Sequence, residues 1–136
     1  VDIFKDEERV VCSSFQHPFY PNRHFDTPGE HLILTPINAG SDGTVFRSKV
    51  EKDFLPALDA FKPELVLISA GFDAHTKDPL GELNLVEDDY RWITTLINDV
   101  ANRHSQSRIV SILEGGYHFG ALGRSVCAHI EMMLND

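Results

Sequence analysis

The sequence predicts an α/β chain: a mostly parallel sheet with flanking helices. Three observations lead to this. From residue 31 onward, short apolar runs alternate with helix-length stretches, and such alternation implies βαβ units with right-handed crossovers. Leu65, Val66, Leu67 and Ile68 form an unbroken apolar run, as expected of a strand covered on both faces. Small residues then stop that run at Ser69-Ala70-Gly71, and Gly115-Gly116 stops a later one.

Taken in order, Val10–Ser14 reads as a short strand. Phe15 to Pro36 is a long irregular region with Pro18, Pro21, Pro28 and Gly29, and it includes the aromatic, histidine-bearing segment HPFYPNRHF. Loops of this length are often functional. Toward its end His31–Thr35 is a second strand, with Leu32, Ile33 and Leu34 apolar. Asn38–Gly43 is a turn, with Asp42 or Thr44 capping a helix that runs to about Phe61. Phe46, Val50, Phe54, Leu58 and Phe61 give that helix one apolar face, and Pro56 inside it predicts a kink.

After Pro63 and the Leu65–Ser69 strand, a second helix spans Glu87–His104, with Tyr90, Ile93, Ile97 and Val100 inward. Glu87, Asp88 and Asp89 sit at the positive end of its dipole and read as a solvated helix start. Ile109–Leu113 is a strand. Phe119–Leu134 is the last helix, with Leu122, Val126, Ile130 and Met133 inward.

The 136 residues suffice for one domain with one core. A net charge of −9 argues against a nucleic-acid-binding surface. Cys12 and Cys127 are too few for a disulfide framework, lie in apolar surroundings and read as buried free thiols. That fits a reducing, cytoplasmic setting. No apolar run approaches the roughly 18 residues of a membrane span, and no signal peptide is visible. A chain that starts with Val reads as a fragment, a processed product or a trimmed form.

Two strands end in chemically suggestive turns: Gly71-Phe72-Asp73-Ala74-His75 and Glu114-Gly115-Gly116-Tyr117-His118. In a parallel sheet both lie at the edge where ligands bind. Asp73 is a candidate metal ligand, or else it caps a turn. Tyr117 is a candidate donor to an oxyanion, or else an aromatic with its hydroxyl satisfied. Together they suit metal-assisted hydrolysis of a carbonyl compound. His17, His24, His75 and His118 are candidate ligands or solvated loop residues. Gly115-Gly116 before a helix can also cradle a phosphate or nucleotide, although the full Gly-x-Gly-x-x-Gly spacing is missing.

The segments SAGFDAHTKDPLG (Ser69 to Gly81) and LEGGY (Leu113 to Tyr117) resemble the zinc-dependent histone deacetylase superfamily. The resemblance is strongest to its bacterial acetoin-utilisation and acetylpolyamine deacetylases, which are related to the class II enzymes. VDIF at the start, Phe19-Tyr20-Pro21 and FLPALDAFKPELVLIS also fit. The resemblance covers essentially the whole chain, but only the carboxyl-terminal half of a family member. It implies an arginase/deacetylase-like three-layer fold.

By the same resemblance Asp73 is a zinc ligand and Tyr117 stabilises the tetrahedral intermediate. Phe19 and Tyr20 line a tunnel for the acyl-lysine-like chain. Leu80 lies on its floor, and Gly115 faces it through its backbone. Carbonyls near Phe4, Glu7 and Val10 hold a structural potassium ion. The substrate is an acetylated amine, such as acetyl-lysine or an acetylpolyamine.

The family's other two zinc ligands come from an Asp-x-His-His-Gly-Asn-Gly-Thr run, and its general base from paired histidines. By resemblance that run ends directly before Val1. The expectation is therefore a deacetylase-like domain whose amino-terminal half is absent from residues 1–136, inactive by itself, and either associated with that half or oligomeric. The alternative is a non-catalytic remnant that serves as a binding or assembly module. Val86 stands where a capping Thr is expected, a loss of about 1 kcal/mol. Asn22-Arg23-His24 replaces a glycine-rich turn at the tunnel rim.

Overall fold

The structure, a computed structural model, describes residues 9–20, 22 and 29–134. Its elements run β1 (Val11–Gln16), β2 (Leu32–Ile37), α1 (Gly43–Phe61), β3 (Val66–Ala70), α2 (Glu87–His104), β4 (Ile109–Leu113) and α3 (Phe119–Leu134). This is the order read from the sequence. The strands form two parallel pairs. β1 lies beside β2 with Val11 opposite Leu32, and β3 lies beside β4 with Val66 opposite Ile109.

One core joins the two pairs. Ile37 of β2, Phe46, Val50 and Phe54 of α1, Ala70 of β3 and Tyr90 of α2 pack together with Phe72, Leu83 and Leu85. Thr35, fully buried, donates to Asp53 Oδ2 at 2.8 Å and so pins β2 to α1. Asp42 caps α1, accepting from the N–H groups of Thr44 and Val45 at 3.0 and 3.2 Å. The helix continues through Pro56 and ends at Lys62, which takes the left-handed conformation before Pro63.

Four expectations are corrected. β3 is not covered on both faces: Ile68 and Ala70 face the core, whereas Leu67 is 63% exposed and Ile112 of β4 is 60% exposed. Successive strand residues point to opposite faces, and the three described helices leave one face open. α3 packs Leu122 and Val126 against the core as expected, but it buries Ala121, Ser125, Ala128 and His129 most deeply and leaves Ile130 exposed. The cause is His129, held between Thr94 Oγ1 at 2.7 Å and Ser111 Oγ at 2.8 Å. Cys127, on the same helix, is consequently exposed, while burial raises the Cys12 thiol to about 12.

The start of α2 is paired rather than solvated. Asp89 is buried, accepts from the Val86 N–H at 2.9 Å and meets Arg47 at 2.8 Å. The Asp89 carboxylate thereby makes the returning half of a capping box by taking the Val86 N–H, while the Val86 side chain caps nothing. Glu87 binds Arg124 at 2.6 Å, and its carboxyl is drawn down to about 2, first by its own main-chain N–H and then by Arg124.

Candidate active site

The carboxyl ends of the strands meet a single segment, residues 71–86. β1 reaches it through Gln16, which donates to Glu82 Oε2 at 2.7 Å and accepts the Glu82 N–H at 2.9 Å. The turn after β2 reaches it through Gly40, whose N–H donates to the Glu82 carbonyl at 2.8 Å, and through Asn84 against Ser41. β4 reaches it through the Phe72 N–H, which donates to the Gly115 carbonyl at 2.8 Å.

Asp73 lies three residues past β3. Its carboxylate rests on the Gly115 main chain: a Cβ built on Gly115 would fall 2.5 Å from Oδ2 and 2.7 Å from Cγ. Any side chain on Gly115 would have to displace that carboxylate. Burial pushes the Asp73 carboxyl above the ordinary aspartate value, its own N–H opposes this, and the charges of Asp78 and Glu114 add to the rise. Among the described residues no side chain donates a hydrogen bond to it. Beneath, Tyr90 donates to the Phe72 carbonyl at 3.1 Å, and its buried phenol is shifted up, by burial first.

Tyr117 lies four residues past β4 and is 54% exposed. Gly116, just before it, has φ of +136°, and a Cβ there would meet Leu122 Cδ1 at 2.8 Å. The Tyr117 N–H donates to Asp78 Oδ2 at 2.8 Å. The other oxygen of Asp78 accepts from the N–H groups of Leu80 and Gly81 at 2.9 and 3.2 Å. Asp78 thus ties the Tyr117 turn to the turn that carries Leu80, whose side chain is exposed.

Asp73, Gly115, Tyr117 and Leu80 therefore share one edge. Phe19 and Tyr20 follow β1 on the strand that Gln16 fastens to Glu82, and Tyr20 is 83% exposed. Among the described residues no ring contact or side-chain hydrogen bond joins these two aromatics to the other four. Phe4, Glu7 and His24 lie outside the described residues, so the potassium carbonyls are described only at Val10.

The histidines divide differently. Asp73-Ala74-His75 has Asp-x-His spacing, but His75 turns away. It is buried, its Nδ1 accepts the Lys77 N–H at 3.0 Å, and its Nε2 lies 3.4 Å from Glu87 Oε1. His118 Nδ1 accepts the Ala121 N–H at 3.1 Å and caps α3. That uses one of the N–H groups at the helix end. Among the described residues no group of three His, Cys, Asp or Glu side chains is arranged to hold a metal ion.

Sequence reasoning missed Asp78, Gln16 and Glu82. Asp78-Pro79-Leu80-Gly81 did carry a signal, since Asp followed by Pro and Gly is turn chemistry in which the carboxylate accepts N–H groups further on. Gln16 and Glu82 carried none, being joined only by the fold.

Residues 1–133 match the family model described as the histone deacetylase domain. The chain belongs to that family. A histone deacetylase-like amidohydrolase of Pseudomonas aeruginosa is 37% identical to this deacetylase-family chain over 85 residues, covering 62% of it and 22% of the relative. The crystal structure of the HDA15 HD domain superposes with a TM-score of 0.88 at 29% identity, covering 97% of this chain and 39% of that one. The acetylpolyamine aminohydrolase of Burkholderia pseudomallei superposes with a TM-score of 0.78 at 26% identity, covering 91% of this chain and 37% of that one. The α/β architecture is thus the deacetylase fold. The chain spans 40% or less of the length of the curated relatives it matches.

Proposed function

We propose that this deacetylase-family chain carries part of the active site of a zinc-dependent amide hydrolase. The reaction removes an acetyl or short acyl group from a lysine-like or polyamine-like amine. The observation that carries this reading is the meeting of Asp73 and Tyr117 at one sheet edge, around Gly115 and Asp78.

The surroundings of Asp73 suit a cation: a half-buried carboxylate beside Asp78 and Glu114, with no side-chain donor on it among the described residues. A catalytic zinc takes three protein ligands and a water. Asp73 supplies one, so the residues present fit the metal only in part. When bound, zinc supplies a Lewis acid for the carbonyl and a more acidic water. In this reading Asp73 holds the metal from the β3 side and the Tyr117 hydroxyl donates to the developing oxyanion. Phe19, Tyr20, Leu80 and the Gly115 backbone line the path of the acylated chain. The remaining ligands come from the Asp-x-His-His run of the family and the general base from a separate pair of adjacent histidines further upstream, neither of which residues 1–136 contain, so the chain by itself is inactive.

The open face of β3 and β4, with Leu67 and Ile112 exposed, supports a second part of the proposal: this face is covered by the rest of the domain or by another copy. A stable monomer of these 136 residues in sedimentation would count against it. We also place the protein in the cytoplasm, a reading supported by its two free thiols. No described helix is long and apolar enough to cross a membrane.

The test is zinc content and deacetylase turnover of this chain beside a version extended upstream through the expected metal motif. The proposal expects one zinc and turnover in the extended protein only, with Asp73→Ala and Tyr117→Phe each impairing it. Activity in the short chain would overturn the reading of the missing ligands. Zinc-independent behaviour of both would favour a non-catalytic binding or assembly module, the reading to which the lack of a three-ligand group among the described residues points.

A further inference from the structure

The geometry points to Asp78 as the residue that positions Tyr117, a role that rests on the deacetylase reading only for its catalytic consequence. Among the described residues the Tyr117 hydroxyl has no hydrogen-bond partner, and its ring stands more than half in solvent. Side-chain packing therefore does little to hold the phenol, and its place must be set through the main chain.

That main chain is fixed on both sides of Tyr117. Before it, the Glu114 N–H donates to the Ala70 carbonyl at 2.9 Å, and the Gly115 carbonyl accepts from the Phe72 N–H at 2.8 Å. After it, the His118 carbonyl accepts the Leu122 N–H at 2.9 Å as α3 begins. Between them lies Gly116, the freest residue type in backbone conformation, at φ +136°. Tyr117 itself has one tether, its N–H on Asp78 Oδ2 at 2.8 Å. A hydrogen bond to a carboxylate is stronger than one to a neutral acceptor.

The carboxylate is anchored in turn. Its Oδ1 receives the N–H groups of Leu80 and Gly81, so its rotamer is set by the turn it closes. One side chain thus spaces the Tyr117 turn against the turn that carries Leu80, fixing the oxyanion donor relative to the proposed floor of the acyl site. An error of about 1 Å in such a donor can cost up to about a hundredfold in rate.

Asp78→Asn separates this role from mere folding. The amide keeps one oxygen, which the two N–H groups of Leu80 and Gly81 outbid one from Tyr117 to occupy, and it turns an NH₂ toward the Tyr117 N–H. Amide hydrogen exchange on this chain is the first measurement, because it needs no metal and no turnover. We expect Tyr117 exchange to quicken at least tenfold in Asp78→Asn while Leu80 and Gly81 change little. All three should quicken in Asp78→Ala. The second measurement is steady-state kinetics in whichever preparation turns over. There Asp78→Asn should lower kcat about tenfold or more with KM nearly unchanged, since the loss is of donor placement and not of substrate contacts.

Unchanged Tyr117 exchange in Asp78→Asn would overturn the inference, as would equal quickening across the whole chain in that variant, which marks general unfolding. Quickened exchange with kcat intact, in a protein that Tyr117→Phe does impair, would also overturn it. If Tyr117→Phe leaves turnover intact, the deacetylase role of Tyr117 fails, and the exchange result alone then decides whether Asp78 fixes that turn.

Discussion

Gly115 and Asp73 occupy the space of one side chain between them: where a β-carbon would stand on Gly115, the Asp73 carboxylate already lies. Gly115→Ala must push the carboxylate aside or open the β3–β4 junction. Overpacking of this kind typically costs about 1–3 kcal/mol. We expect a lower urea midpoint in this chain. In the extended protein, calorimetry should show zinc affinity falling more than in a control such as Gly123→Ala, a site where an added Cβ meets nothing within 4 Å.

The electrostatics of Asp73 give a stabilising substitution. Burial raises its carboxyl above the unfolded value of about 3.9. An acid with a raised folded value binds protons more tightly folded than unfolded. Its contribution to stability therefore falls as pH rises from the unfolded value through the folded one, then stays low. Asp73→Asn should raise the melting temperature of the metal-free chain at pH 7 and lose that advantage near pH 3. A drop at pH 7 would show that the carboxylate is satisfied in a way the structure does not contain.

His129 works with the opposite sign. The Thr94 hydroxyl donates to the Tyr90 carbonyl at 2.6 Å, so it must accept from His129 Nδ1–H. The other nitrogen then accepts from Ser111, and the buried ring is neutral. Burial depresses its pKa, so its contribution is complete above the unfolded value of about 6.5 and declines as pH falls toward the folded one. His129→Gln should lower stability at pH 7.5 and flatten the slope of unfolding free energy as pH falls below about 6.5, as read by chemical denaturation at stepped pH.

Gln16→Ala removes both hydrogen bonds to Glu82. Gln16 is buried, whereas Glu82 is exposed and its carboxylate regains water. The expected loss is about 1–2 kcal/mol, mostly from the main-chain N–H left without an acceptor. The aromatic loop that follows β1 should also become more susceptible to limited proteolysis. Unaltered cleavage after Phe19 and Tyr20 would mean that the loop does not depend on this tie.

Most elements were legible because they follow from short-range rules. Asp42 announced the start of α1, the period-2 and period-3.6 patterns announced the strands and helices, and two glycine breaks marked the strand ends. What stayed hidden depends on partners far away in the chain. Nothing near His129 shows that it will be held by Thr94 and Ser111, so the deep burial of Ala121, Ser125 and His129 and the exposure of Ile130 were missed, although Leu122 and Val126 do pack on the core. Nothing near Glu87 or Asp89 shows Arg124 or Arg47. The apolar run at Leu65–Ile68 implied cover on both faces, but the described helices lie on one. Asp73 and Tyr117 stood out from local motifs, whereas Asp78, which joins their turns, could be seen only once the turns were folded.

The convergence of every strand end on residues 71–86 has a dynamic consequence. Loops that are fastened separately can open separately, each with its own free energy. Here Gln16, Gly40, Ser41, Phe72 and Tyr117 all have partners in, or are part of, the same segment. Excursions of that edge are thus expected to be collective, so that the rim opens and closes as one cooperative unit instead of fraying loop by loop.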